Sequence, residues 1–230
     1  MIATDRYARR FMKMHKRISA LAVMWMIAVI IGGTLIACSD SNDDSETSPT
    51  PTPTRTPSPT LPNTSQNPVA VIHTSMGDIT LELYRDKVPS TVDNFVRLAR
   101  DGFYDGLIFH RVKSGFMIQG GAFKADGTPK QSPYGPIKLE TSPDVRHVDG
   151  AISMARTNDP NSATSQFFIC DGPQNFLDGG YAAFGVVTKG IEVVRQIAAA
   201  PNDGSLEPNP GGGKPLNTIT INSIEIEEGA

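Results

Sequence analysis

Of the 230 residues only two are cysteine, Cys38 and Cys170, and only one is tryptophan, Trp25. A disulfide framework is thereby excluded, since two thiols make at most one bridge. Cys170 stands within the apolar stretch Phe167-Phe168-Ile169-Cys170 and reads as a small buried hydrophobe with no chemistry of its own. His73, His110 and His147 are scattered, and no His, Cys, Asp and Glu cluster shows metal-ligand spacing. Asp178-Gly-Gly lacks the lysine of a phosphate-binding loop, and hydrolase motifs are missing. No metal and no cofactor is therefore expected.

Basic surface is scarce over most of the chain. The formal charge is −3, from 21 Lys and Arg against 24 Asp and Glu, but six of the basic residues and one acid, Asp5, fall in residues 1–37. The remainder carries 15 basic against 23 acidic residues. It has no bulk positive field with which to hold a polyanion, so nucleic acid is excluded as a partner. A hydrophobic content of 39% is ordinary for a globular protein and rules out both wholesale disorder and a polytopic membrane protein.

One long apolar run is present. Arg6, Arg9, Arg10, Lys13, Lys16 and Arg17 precede residues 18–37, which carry no charge. Basic residues ahead of an apolar stretch of that length specify membrane targeting with the N-terminus inside. The run closes on Leu35-Ile36-Ala37-Cys38, which resembles the lipobox of bacterial lipoprotein precursors. The resemblance implies cleavage before Cys38, lipidation of that residue, and a protein anchored by lipid on the extracytoplasmic side of the cell membrane. An uncleaved signal anchor gives the same orientation, so residues 1–37 are read as a signal peptide or membrane anchor. Met12 or Met14 as a start would give a basic region of ordinary length.

Residues 38–67 hold the lipidation site and a disordered Thr/Pro/Ser-rich tether. This stretch contains six prolines and no aromatic residue, so it cannot bury a core. Alternating Pro and Thr favours polyproline II, and at about 3.1 Å per residue residues 39–67, fully extended, reach on the order of 90 Å.

Residues 68–230 are enough for one sizeable core. Val69–Thr74 and residues 78–84 alternate about Ser75-Met76-Gly77 as a hairpin. Val92, Phe95, Val96 and Ala99 share one face of a helix over 91–100, and a second helix is expected over 191–200. Further strands are expected over 108–113, 116–119, 151–155, 167–170, 183–188 and 218–226. Eight short strands between Gly- and Pro-rich loops, with two helices, point to a mainly β antiparallel barrel or sandwich.

Phe109-His-Arg-Val-Lys-Ser-Gly-Phe-Met-Ile-Gln-Gly-Gly121 resembles the signature of the cyclophilin family of peptidyl-prolyl isomerases. Ser153-Met-Ala155, Ser165-Gln-Phe-Phe-Ile169 and Phe176-Leu-Asp-Gly179, followed by Phe184-Gly185, are similar to the family's later blocks in the same order. The resemblance spans residues 69–228. It implies a cyclophilin-like eight-stranded antiparallel barrel capped by two α-helices, with Arg111 as the catalytic residue. It makes Phe116, Met117, Phe168 and Leu177 a dry proline pocket, puts Ala155 and Gln166 along the peptide groove, and adds Gln119, Phe176 and Tyr181 to the substrate-binding set.

The chemistry so implied is rotation about an X-Pro amide, whose barrier of about 18 to 20 kcal/mol comes from C–N double-bond character. No bond to a heavy atom is made or broken. The twisted amide gains a nitrogen lone pair, which a fixed guanidinium meets with a stronger hydrogen bond than the planar form accepts. Even spacing about Ser114-Gly115 brings Arg111 and Gln119 to one face, where Gln119 is expected to aim the cation. His110, one residue away, falls on the other face and is read as structural. The expected partners are proline-containing unfolded or partly folded exported polypeptides, and the membrane through the N-terminal lipid anchor; a monomer is expected. A catalytically idle proline-peptide-binding module is the alternative.

Three positions depart from the family's pattern. Phe176 stands where many members carry tryptophan, which implies weak cyclosporin binding. Tyr181 and Arg156 replace a common histidine and asparagine. For residues 201–215, with Gly211-Gly-Gly213, the sequence suggests mobility and no function.

Overall fold

The computed structural model describes residues 67–208 and 211–229. The expected signal segment, Cys38 and all of the tether but Asn67 lie outside the described residues. The strands are β1 (Val69–Thr74), β2 (Gly77–Leu83), β3 (Leu107–Ile108), β4 (Arg111–Lys113), β5 (Met117–Gly120), β6 (Ala151–Met154), β7 (Phe167–Cys170), β8 (Ala183–Lys189) and β9 (Thr220–Glu227). Among the described residues two helices, α1 (Pro89–Arg100) and α2 (Ile191–Ala198), complete the regular structure with a single 3₁₀ turn, Asn175–Leu177.

All strands join one antiparallel sheet in the order β3-β9-β1-β2-β8-β6-β7-β5-β4. Its two terminal strands, β3 and β4, are consecutive in the chain. Between them the Phe109 N–H donates to the Ile219 carbonyl at 3.0 Å and the His110 N–H to the Gln119 carbonyl at 3.0 Å. The ends of the sheet are thus the two halves of one interrupted strand, and that strand closes the barrel, which leaves no open edge there. The expected strand 108–113 is broken at Phe109-His110. This reconciles the nine observed segments with the eight strands expected.

Alternation sets what each strand buries. Ala70, Ile72 and Thr74 of β1 and Ile79, Leu81 and Leu83 of β2 face inward, with half-buried residues between them. Both helices bury their apolar faces in the same core as these side chains: Val92, Phe95 and Val96 of α1, Val194 and Ile197 of α2. Phe95 packs its ring 5.2 to 5.6 Å from Tyr104, Phe167 and Phe184. The helix α1 starts at Pro89, two residues before the expected position, because proline's missing N–H costs nothing at the first helical residue. The first-turn donors are taken by the Glu140 carboxylate, with the Thr91 N–H at 2.8 Å and its hydroxyl at 2.9 Å.

Strands β6 and β7 are buried along their whole length. Phe167, Ile169, Ile152 and Met154 join the barrel interior. On the other face, Met117, Ala151, Phe168, Cys170 and Leu177 form a second, smaller apolar cluster. That cluster underlies the site.

Candidate active site

Register places the site residues in a line. Arg111 pairs with Gln119, Gln119 with Phe168 and Phe168 with Ser153 across β4, β5, β7 and β6. Neighbours in such a row lie on one face of the sheet, here the outer face, because Val112 and Ile118 beside them enter the core. The hairpin between β4 and β5 turns at Gly115, whose φ of 72° favours glycine. Its N–H donates to the Asp171 Oδ2 at 2.7 Å.

A cleft of about 180 Å³ opens on this face. Phe116, Met117, Ala155, Phe168, Leu177 and Tyr181 supply most of its lining; Arg111, Gln119 and Arg156 supply the polar remainder. Met117, Phe168 and Leu177 are buried, so the base of the cleft is apolar. The Arg111 guanidinium carbon lies 5.7 Å from the Phe116 ring centroid, and Arg156 lies over the Tyr181 ring at 4.4 Å. Burial pulls the Arg111 pKa below its ordinary value, opposed by Tyr181 and Glu207. An arginine keeps its proton throughout the physiological range regardless.

The sequence-derived set comes together with one correction. Gln119, expected to aim the guanidinium, donates its amide to the Gln166 Oε1 at 3.1 Å. The Gly211 carbonyl accepts from Arg111, from Nε at 3.2 Å and from Nη2 at 3.0 Å. Gln166, expected along the peptide groove, is held beside Gln119 by that residue's amide and does not line the cleft itself. Phe176 is 74% exposed and also outside the lining, with its ring stacked 6.0 Å from Phe116. The two successive residues of the 3₁₀ turn separate here: Leu177 takes the buried side and Phe176 the rim.

Other residues were not singled out from the sequence. The His147 ring stacks 6.0 Å from Phe168, bridging the Ser153 hydroxyl at 3.0 Å and the Asp178 carboxylate at 2.9 Å. This Ser–His–Asp chain has the order of a hydrolase triad, but Ser153 and His147 are buried and no substrate reaches the hydroxyl. It holds the Phe168 ring from behind. The Asp178 carboxyl is pulled down to about 2, chiefly by the His147 backbone N–H. The signal for Gly211, a glycine triplet, was present but carried no indication of its target.

Neighbouring groups stay out of the chemistry. His110 packs edge-on against Phe123 at 4.9 Å, and burial, with the Arg111 charge, pushes its pKa down to about 4. Burial pushes the Cys170 thiol up to about 12, which keeps it protonated and inert. Among the described residues no group of three or more His, Cys, Asp or Glu side chains is placed to hold a metal ion.

A closed antiparallel barrel with two helices, bearing a ring-sized apolar cleft with a guanidinium in its wall, defines a β-barrel prolyl isomerase. The comparisons agree: the model for the family described as cyclophilin type peptidyl-prolyl cis-trans isomerase/CLD matches residues 69–226, and the chain belongs to that family. It is 46% identical over 163 residues to a peptidyl-prolyl cis-trans isomerase of Streptomyces antibioticus, covering 67% of this chain and 96% of that one. It is 45% identical over 140 residues to a peptidyl-prolyl cis-trans isomerase of Acinetobacter baylyi, covering 59% and 74%. The solved cyclophilin type isomerase of Cryptosporidium parvum, crystallised in the presence of the dipeptide Ala-Pro, superposes with a TM-score of 0.59 at 30% identity, covering 70% of this chain and 99% of that one.

Proposed function

We propose that this protein accelerates X-Pro isomerisation in exported polypeptides, working from a lipid anchor outside the cytoplasm. The observation that carries the reading is the Arg111 guanidinium in the wall of the cleft built on Met117, Phe168 and Leu177. A prolyl ring seated on these apolar side chains sets its amide nitrogen beside the cation. On rotation the nitrogen pyramidalises and its lone pair becomes an acceptor, so the hydrogen bond from Arg111 is stronger in the transition state than in either ground state. Each tenfold in rate needs about 1.4 kcal/mol of this difference. No proton, electron or covalent bond is transferred.

The chain's first segment supports the location. Six basic residues, the uncharged residues 18–37 and Leu35-Ile36-Ala37-Cys38 make a lipoprotein-type export signal with Cys38 as the acylated residue. The tether of residues 38–67 then keeps the barrel near the membrane, where X-Pro bonds in emerging chains isomerise over tens of seconds unaided.

A protease-coupled proline-peptide assay tests the activity. Arg111→Ala is expected to lower kcat/KM by about 10²-fold, the usual cost of one transition-state donor. A wild-type rate equal to background would instead leave an idle peptide-binding module. Growth with a labelled lipid precursor tests the anchor: wild type is expected to incorporate label, and incorporation by Cys38→Ala would refute lipidation at that residue.

A further inference from the structure

The loop between α2 and β9, with no role assigned from its sequence, lies against the catalytic arginine. Its Val112–Gly213 bridge, with backbone bonds of 3.0 and 3.2 Å in the two directions, lays the glycine triplet along β4. The approach is too close for side chains. A Cβ on Gly212, whose φ is 81°, would stand 2.2 Å from the Val112 carbonyl oxygen, and one on Gly211 would meet the Lys113 side chain at 2.5 Å. Glycine is what this contact requires.

The loop is cross-braced. The Glu207 Oε1 accepts from the Gly212 N–H at 2.7 Å and from the Lys113 ammonium at 2.7 Å. The Gly211 N–H donates to the Leu206 carbonyl at 2.8 Å and the Leu206 N–H to the Gly212 carbonyl at 3.1 Å. The Asp203 Oδ1 accepts from the Ser205 and Lys214 N–H groups at 3.0 and 2.9 Å. The product of this bracing is one fixed carbonyl, that of Gly211, on which Nε and Nη2 of Arg111 converge.

We infer that the Glu207–Lys113 brace and the Gly211 carbonyl form the device that positions Arg111 for catalysis, with Glu207 as a positioning residue that acts only through the arginine. Arginine has a long, rotamer-rich side chain, so a cation that must meet a developing lone pair needs its orientation set beforehand. A carbonyl does this without neutralising the charge; a carboxylate in its place would pair with the cation and weaken its hold on the substrate nitrogen. The Glu207 carboxylate sits a step away, shared between Lys113 and the Gly212 N–H.

This inference rests on the isomerase reading, and a kinetic cycle on the full-length chain separates the two. Glu207→Ala is expected to lower kcat and kcat/KM together by about five- to tenfold, within the range of coupling between contacting residues, with KM unchanged. Glu207→Gln, which still accepts from the Gly212 N–H, is expected to recover part of the loss. In an Arg111→Ala background, Glu207→Ala is expected to change nothing. By NMR, the Arg111 Nε–H resonance is expected to be protected from solvent exchange in wild type and to lose protection in Glu207→Ala. An unchanged kcat in Glu207→Ala would overturn the inference, as would an equal loss in the Arg111→Ala background or a rise in KM that accounts for the whole effect. A wild type without activity sinks the isomerase reading itself, whereas an active wild type with an indifferent Glu207→Ala sinks only the positioning role.

Discussion

Arg111 and Phe168 do different work in the same cleft, and the two rows of contacts behind them show why. Arg111 contributes a charge whose orientation is set by a neighbouring backbone; Phe168 contributes a surface, held by the His147 stack on one side and the Tyr181 ring at 5.9 Å on another. Phe168 is 5% exposed and Phe176 is 74% exposed, so the two substitutions to alanine separate packing from exposure. Phe168→Ala is expected to destabilise the fold by about 3 kcal/mol or more, as a cavity-forming change does. Phe176→Ala is expected to fall within about 0.5 kcal/mol of wild type, as surface changes do. Denaturant melts of both variants check this. The positions of Arg111, Met117, Gln119 and Phe168 were legible from strand alternation and the family blocks. The exposure of Phe176 was not, because a 3₁₀ turn obeys no two-residue period.

The helix α1 shows how far local signals reach. Its apolar face was readable from the spacing of Val92, Phe95, Val96 and Ala99, and its last turn carries Arg97 and Arg100, which suit the negative end of the helix dipole. Its N-terminus was not readable, because the acceptor for the Thr91 N–H comes from Glu140, distant in sequence. Glu140→Ala is expected to cost about 0.5 to 2 kcal/mol, the range for a lost N-cap acceptor, seen as a lower thermal midpoint at neutral pH. Likewise the interrupted strand β3–β4 read as one element. The break at Phe109-His110 follows from having to pair with β9 by one half and with β5 by the other.

Among the groups through which the barrel responds to acid, His110 and Asp178 act in separate windows. The folded pKa of His110 is about 4 against its ordinary 6.5. Between these values the unfolded chain binds a proton that the folded chain refuses, so stability falls as pH drops from about 6.5 to about 4 and then levels for this group. Asp178 behaves oppositely in origin: held at about 2 against 3.8, it stabilises the fold above its ordinary value, and that contribution is lost as pH falls toward 2. Unfolding free energy measured by denaturant between pH 7 and 4 is expected to decline in wild type and to decline less in His110→Asn.

What the sequence alone determined is whatever depends on near neighbours: the divided charge, the alternation that sorts each strand into inner and outer faces, and the ordered blocks that name the family. Tertiary structure decided the rest: that one broken strand closes the barrel, that Leu177 and not Phe176 reaches the cleft, and that a carbonyl 100 residues away accepts from the Arg111 guanidinium. The reason is physical. Alternation and turn chemistry are set within a few residues, whereas the partner of a side chain is set by strand register and by how closely a distant loop can approach, which glycine permits and only the closed fold arranges.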